Sequence, residues 1–149
     1  MIHALNFENY KNITRISILN SRSIFYPIKF VLESRDIAFD ENDALIVNPI
    51  FDDLKYPATV KLGDAGQLWE YVVQFSINNQ SLITRTELQK LINQKVIIVL
   101  HHPEGRFIIG CNEFPLTFLF GDDNTTNPAS SNGYSIECRG FSYISKVIV

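Results

Sequence analysis

The chain has little charge, little cysteine and no long apolar run, and each shortage narrows what it can be. Charged residues make up 19% of its 149 positions, and the net charge is −3. Its basic residues, such as Lys11, Arg15, Arg22, Lys29 and Arg35, never form a run of three. A nucleic-acid groove needs clustered Lys and Arg to displace counterions, so none is expected. No stretch of twenty apolar residues occurs. A transmembrane helix needs about 20, so no membrane partner is expected. The opening MIHALNFENYKN joins no basic start to an apolar run, and the single Met is residue 1. The expectation is a whole translated product without a secretory signal, made in the cytoplasm or released from it inside a larger particle.

The two cysteines, Cys111 and Cys138, fall in strand-like segments. They are expected to be buried thiols acting as small hydrophobes; a reducing compartment disfavours a disulfide, and zinc-ligand spacing is missing. Catalytic patterns are also missing. Gly63-Asp64-Ala65-Gly66 lacks the GK[ST] of a phosphate cradle and precedes a strand, so it reads as a turn. There is no GxSxG elbow, and Glu70, Glu87, Glu113 and Glu137 are spread too widely to nominate an acid–base pair. His101, His102 and Glu104 crowd together, but neighbouring strand residues point to opposite faces. They read as a turn with exposed histidines. Asp40–Asp43 and Asp122-Asp123-Asn124 lack the central glycine and distal glutamate of a calcium loop. Both read as solvated loops, with weak calcium binding left open at 121–124. No catalytic residue, metal or cofactor is assigned, and an enzyme is not expected.

What is present is strand signal. Hydrophobic residues reach 46%, with 11 Phe and 6 Tyr, a composition suited to pleated, half-buried surfaces. Asn12–Leu19 alternates apolar and polar side chains. Ser23–Leu32 is apolar enough for a strand, with Pro27 confining it to an edge or a bulge. Glu33–Asp43 is polar and reads as a loop or arm. Ala44–Phe51 and Tyr56–Leu62 read as strands. Gln67–Ile77 alternates most cleanly, and Trp69, Tyr71, Val73, Phe75 and Ile77 form its core face. Thr84-Arg85-Thr86-Glu87 has capping-box form, with Leu88, Leu91 and Ile92 on one stripe behind it. That pattern predicts a helix over about 84–93, ending at Asn93.

The last third is strand after strand. Val96–His101 and Arg106–Cys111 make a hairpin through His102-Pro103-Glu104-Gly105. Phe114–Phe120 follows, then a polar loop over 121–132, then Tyr134–Arg139 and Tyr143–Val149. A chain whose last residues, Val147, Ile148 and Val149, are in mid-strand needs an inner sheet position or a neighbouring subunit to cover them. The expected fold is α+β and β-dominated. It is one domain over 1–149, an antiparallel sandwich or partly closed barrel with one short helix, and 33–43 and 121–132 are extended loops or arms.

From Gly66 onward the order of signals resembles a known group. A glycine precedes WEYVVQFSI; a short helix, KVIIVLHHPEGRFIIG, FPLTFLF, a variable loop, NGYSIEC, a glycine and a closing strand follow. This is similar to small virion proteins of tailed phages and prophages of Bacteroides-type bacteria, the crAss-like phages among them. The resemblance covers roughly residues 66–149. Where the family often has Asp or Asn in the hairpin turn, this chain has His102-Pro103-Glu104.

The resemblance implies a structural subunit at the head-to-tail connector, neck or tail, located in the virion and acting as one copy in a homo-oligomeric ring. Its partners would be portal, connector or tail subunits, with DNA at most sliding through an acidic lumen. Contacts are expected from the C-terminal strand (Val147, Ile148, Val149), the loop residues Asp122, Asp123 and Asn124, and Ile37 and Phe39 in the acidic arm. The alternative is a β-barrel binding module for a small ligand or carbohydrate, using Trp69, Tyr71 and the loop tips.

Overall fold

The structure, a computed structural model, describes residues 13–48, 54–63, 66–77, 82–123, 133–143 and 147–148. Strands β1 (Arg15–Asn20), β2 (Ala44–Val47), β3 (Ala58–Gly63), β4 (Gly66–Ile77), β5 (Lys95–His102), β6 (Gly105–Ile109), β7 (Leu116–Asp123), β8 (Gly133–Ser142) and β9 (Val147–Ile148) form one antiparallel sheet. Two short helices accompany it, α1 (Ile28–Leu32) and α2 (Leu82–Gln89).

The sheet forks at β5. One edge of β5 pairs with β1, from Arg15 opposite His101 to Asn20 opposite Val96. Its other edge is divided. Ile98–His102 pair with β6, whereas Lys95 and Val96 pair with Thr117 and Leu116 of β7. One arm therefore runs β2-β1-β5-β6-β9, and the other runs β7-β8-β4-β3.

The arms face each other across one core. Ile16, Ile18, Ile98, Leu100, Phe107 and Ile109 from the first join Tyr71, Val73, Phe75, Phe118, Ile136 and Cys138 from the second. Period-two alternation explains the set: the even-numbered positions of β5 point inward and the odd-numbered ones outward. The architecture is sandwich-like, a single sheet bent over itself. It is not closed, since β2 and β3 are its free ends. Glycine permits a close approach of β8 to the start of β7. A Cβ on Gly140 would lie 2.6 Å from Leu116 Cδ2 and 2.9 Å from the Pro115 carbonyl oxygen.

Two expectations from sequence are corrected. Ser23–Leu32 is not a strand. Pro27 removes a ladder donor and instead precedes α1, a position its fixed φ suits. The neighbouring amides are satisfied by side chains: Tyr26 N–H donates to Asn112 Oδ1 (2.6 Å) and Ile28 N–H to Glu113 Oε2 (2.7 Å). The helix predicted over 84–93 runs Leu82–Gln89, so Thr84 lies inside it and does not cap it. Leu88 is buried, and Asn93 at φ 60° closes the following turn. The segment 33–43, expected as a loop or arm, has no strand or α-helix from 35 to 40, and Ile37 lies within that stretch. That side chain is buried against Tyr26, Ile97, Val99 and Ile108 on the outer face of the first arm.

Candidate functional site

The outer face of β1, β5 and β6 is covered by the chain between β1 and β2. Leu19, Ile97, Val99 and Ile108 on the sheet meet Ile24, Tyr26, Ile37 and Cys111. The cover is pinned at its middle, where the Tyr26 hydroxyl donates to the Arg35 carbonyl (2.6 Å). Burial raises the Tyr26 pKa to about 12, with the Asp36 charge adding to the effect.

At one end of this face the apolar side chains give way to a charged row. Arg15 on β1 is in register with His101 on β5, which is in register with Arg106 on β6. Residues 36–39 and Glu41 pass over the row, leaving an open cleft of about 380 Å³. Arg106 is held twice, by Asp36 (Nε to Oδ1, 2.5 Å) and by the Ile37 carbonyl (Nη2, 2.7 Å). Its guanidinium lies 5.6 Å from the Phe39 ring centroid, within reach of the ring's negative face. Arg15 pairs with Glu41 at 3.2 Å.

His101 sits between the two arginines with Nε2 2.8 Å from Ser17 Oγ. Its pKa is below the ordinary histidine value, first because burial penalises the charged ring and next because Arg15 and Arg106 repel a proton. Asp36 and Glu41 offset only part of this. The imidazole is therefore mainly neutral at pH 7. A serine–histidine contact invites comparison with a nucleophile and its base. Ser17 is 0% exposed, so no substrate reaches its oxygen, and the pair positions the ring instead.

The residues singled out from sequence scatter. Phe39 lines the cleft, while Ile37 is buried in the chain's own second apolar cluster. Val147 and Ile148 form β9, which pairs with Ile108 and Phe107 of β6 in the same chain, and Ile148 stays 65% exposed. Asp122 and Asp123 continue β7, paired with Tyr134 and Gly133. Asn124 and Val149 lie outside the described residues, as does most of the 121–132 loop.

The histidines do point to opposite faces, but neither is the exposed turn residue expected. His102 is buried 4.9 Å from the Phe107 ring, its Nδ1 accepting from the Glu104 amide (3.2 Å). Its side belongs to the core because β5 is covered on both faces. Tyr71 is likewise buried, and the partly buried Trp69 stacks on it at 6.5 Å. The sheet is not closed into the barrel that the alternative reading named. Both cysteines are free and buried, and burial lifts the Cys138 thiol to about 12. Cys111 follows β6 and is not itself in a strand. Among the described residues, no three His, Cys, Asp or Glu side chains gather to hold a metal.

Sequence reading missed the Arg15–His101–Arg106 row. Half of it was within reach: a two-residue turn at Pro103-Glu104 fixes His101 opposite Arg106. Arg15 requires the long-range pairing of β1 with β5, which no local signal specifies.

The sheet's ends are the other feature with functional content. Among the described strands β2, β3 and β9 each have one partner. Each shows apolar side chains to solvent: Ile46 on β2, Val60 (38% exposed) and Leu62 (85%) on β3, and Ile148 on β9. Val60 pairs with Trp69, and Ala58 with Tyr71. The face bearing Val60 and Leu62 is thus a continuation of the core face beyond its packed part. Comparison with protein-family models, curated proteins and solved structures finds no match to this chain.

Proposed function

We propose that this chain is a non-enzymatic structural subunit of a tailed-phage virion, one copy in a ring at the head-to-tail connector or tail. Association runs through sheet edges and carries no chemistry. The observation that carries the reading is the β3 edge. It offers six residues of backbone with one side unpaired among the described strands, and its apolar Val60 and Leu62 face solvent. Such an edge is a template for strand addition. Lys61, tied to Glu70 at 2.5 Å, is the single charge along β3.

A ring needs two different surfaces that meet head to tail. The sheet supplies them at its opposite ends, β3 on one arm and β2 or β9 on the other. The resemblance over residues 66–149 supplies the phage context, and the net charge of −3 suits a lumen through which DNA passes without sticking. The ring is assembled from chains made in the host cytoplasm, against portal, connector or tail subunits.

The test is to co-express the chain with the products of its flanking genes and image the purified material by negative-stain electron microscopy. Rings, from a locus that also encodes portal, capsid and tail proteins, are the expected result. Particles without rings, from a locus with no virion genes, contradict the proposal.

A further inference from the structure

We propose that the cleft under residues 36–41 receives a small oxyanion of phosphate or carboxylate type between Arg15 and Arg106, above His101. This is independent of the ring reading. Neighbouring strands are about 4.8 Å apart, which puts the backbones of Arg15 and Arg106 roughly 10 Å apart with the imidazole between them. Each guanidinium carries five N–H donors. Among the described residues Arg15 commits one nitrogen, to Glu41, and Arg106 commits two, to Asp36 and the Ile37 carbonyl. Nη1 of both arginines and Nδ1 of His101 have no partner there. The volume of about 380 Å³ suits a small ligand.

The charge balance says how the site responds. With His101 neutral, two guanidinium groups and two carboxylates cancel. A singly charged anion seated between the arginines leaves one net negative charge and a doubly charged one leaves two, and His101 offsets one of these by taking up a proton. The ionisable and charged groups facing that ring are Arg15 from β1, Arg106 from β6, and Asp36 and Glu41 from the cover; Ser17 faces it as a neutral hydroxyl. Affinity therefore rises as pH falls through the imidazole range.

The experiment is an NMR titration of the His101 ring in the full chain with inorganic phosphate, acetate and chloride at equal ionic strength. A sulfate series across pH, with the anion's own charge constant, reads the coupling. The expected result is a saturable shift with phosphate or acetate beyond that of chloride, and an upward move of the imidazole titration. A response to phosphate alone assigns a phosphoryl group, and a response to acetate alone assigns a carboxylate. Arg15→Gln weakens binding about tenfold or more, as expected for a lost charged hydrogen bond. Glu41→Gln breaks the same ion pair yet keeps or tightens binding, which separates ligand recognition from damage to the fold. The proposal is overturned if phosphate and acetate act no differently from chloride. It is equally overturned if Arg15→Gln and Glu41→Gln weaken binding alike, or if sulfate leaves the His101 titration unmoved.

Discussion

Gly140 on β8 and Leu116 on β7 approach so closely that a single added carbon at Gly140 would lie 2.6 Å from Leu116 Cδ2. Leu116 is buried and pairs with Val96, at the point where β5 passes from one arm to the other. The glycine therefore lets β8 pack closely on the β7 residue that meets β5. Gly140→Ala forces a shift in a packed core and is expected to cost about 1–3 kcal/mol of unfolding free energy. Gly63→Ala, where a Cβ meets nothing within 4 Å, is expected to cost less. Urea denaturation of the two variants checks the difference.

Alkaline pH tests two buried acids, Tyr26 in the cover and Cys138 in the core between the arms. The folded chain holds the Tyr26 hydroxyl and the Cys138 thiol protonated up to about 12, whereas their ordinary values are 10.0 and 9.0. A folded state that keeps its protons longer than the unfolded one loses stability as pH rises. The loss is expected to begin near pH 9 and to grow toward pH 12, within the window those two values define. Tyr26→Phe removes the bond to the Arg35 carbonyl along with the tyrosine titration, so it lowers stability at pH 7 and flattens the alkaline decline. Thermal unfolding across pH reads both effects.

The acid side carries the opposite sign. His101 has a folded pKa below its ordinary 6.5, so the folded state binds fewer protons than the unfolded one in that window. Its contribution is present above 6.5 and is lost as pH falls through the folded value. His101→Gln, which cannot titrate, is expected to shrink the decline in stability between neutral and mildly acidic pH. A decline of the same size in both proteins would place the titration elsewhere.

Where the sequence could be read and where it could not follows from range. Trp69, Tyr71, Val73, Phe75 and Ile77 were legible as a core face because period-two alternation is written locally. So was the β5–β6 hairpin, because Pro103 and Gly105 punctuate it. The β-dominated antiparallel class followed from both. The fork at β5 was not legible, since nothing local marks Lys95 and Val96 as pairing with β7 and not with the hairpin partner β6. Pro27, read as an edge-strand proline, starts a helix because Asn112 and Glu113, more than eighty residues away in sequence, supply the missing partners. The charged cleft stayed hidden for the same reason: Arg15, Asp36, His101 and Arg106 become neighbours only once β1 lies on β5.

The β3 edge separates stability from association. Leu62 is 85% exposed, so Leu62→Lys is expected to change unfolding free energy by no more than about 0.5 kcal/mol. A lysine there also guards an open edge. Loss of self-association without loss of stability is the expected signature, read by comparing melting temperature with sedimentation velocity.

The most direct test of edge-to-edge assembly is the native mass of the purified chain at high concentration, beside that of Leu62→Lys. A discrete multimer for the natural sequence that falls to a single 17.1 kDa chain in the variant is the predicted result. A natural sequence that stays at the mass of one chain, with or without the products of its flanking genes, contradicts the account.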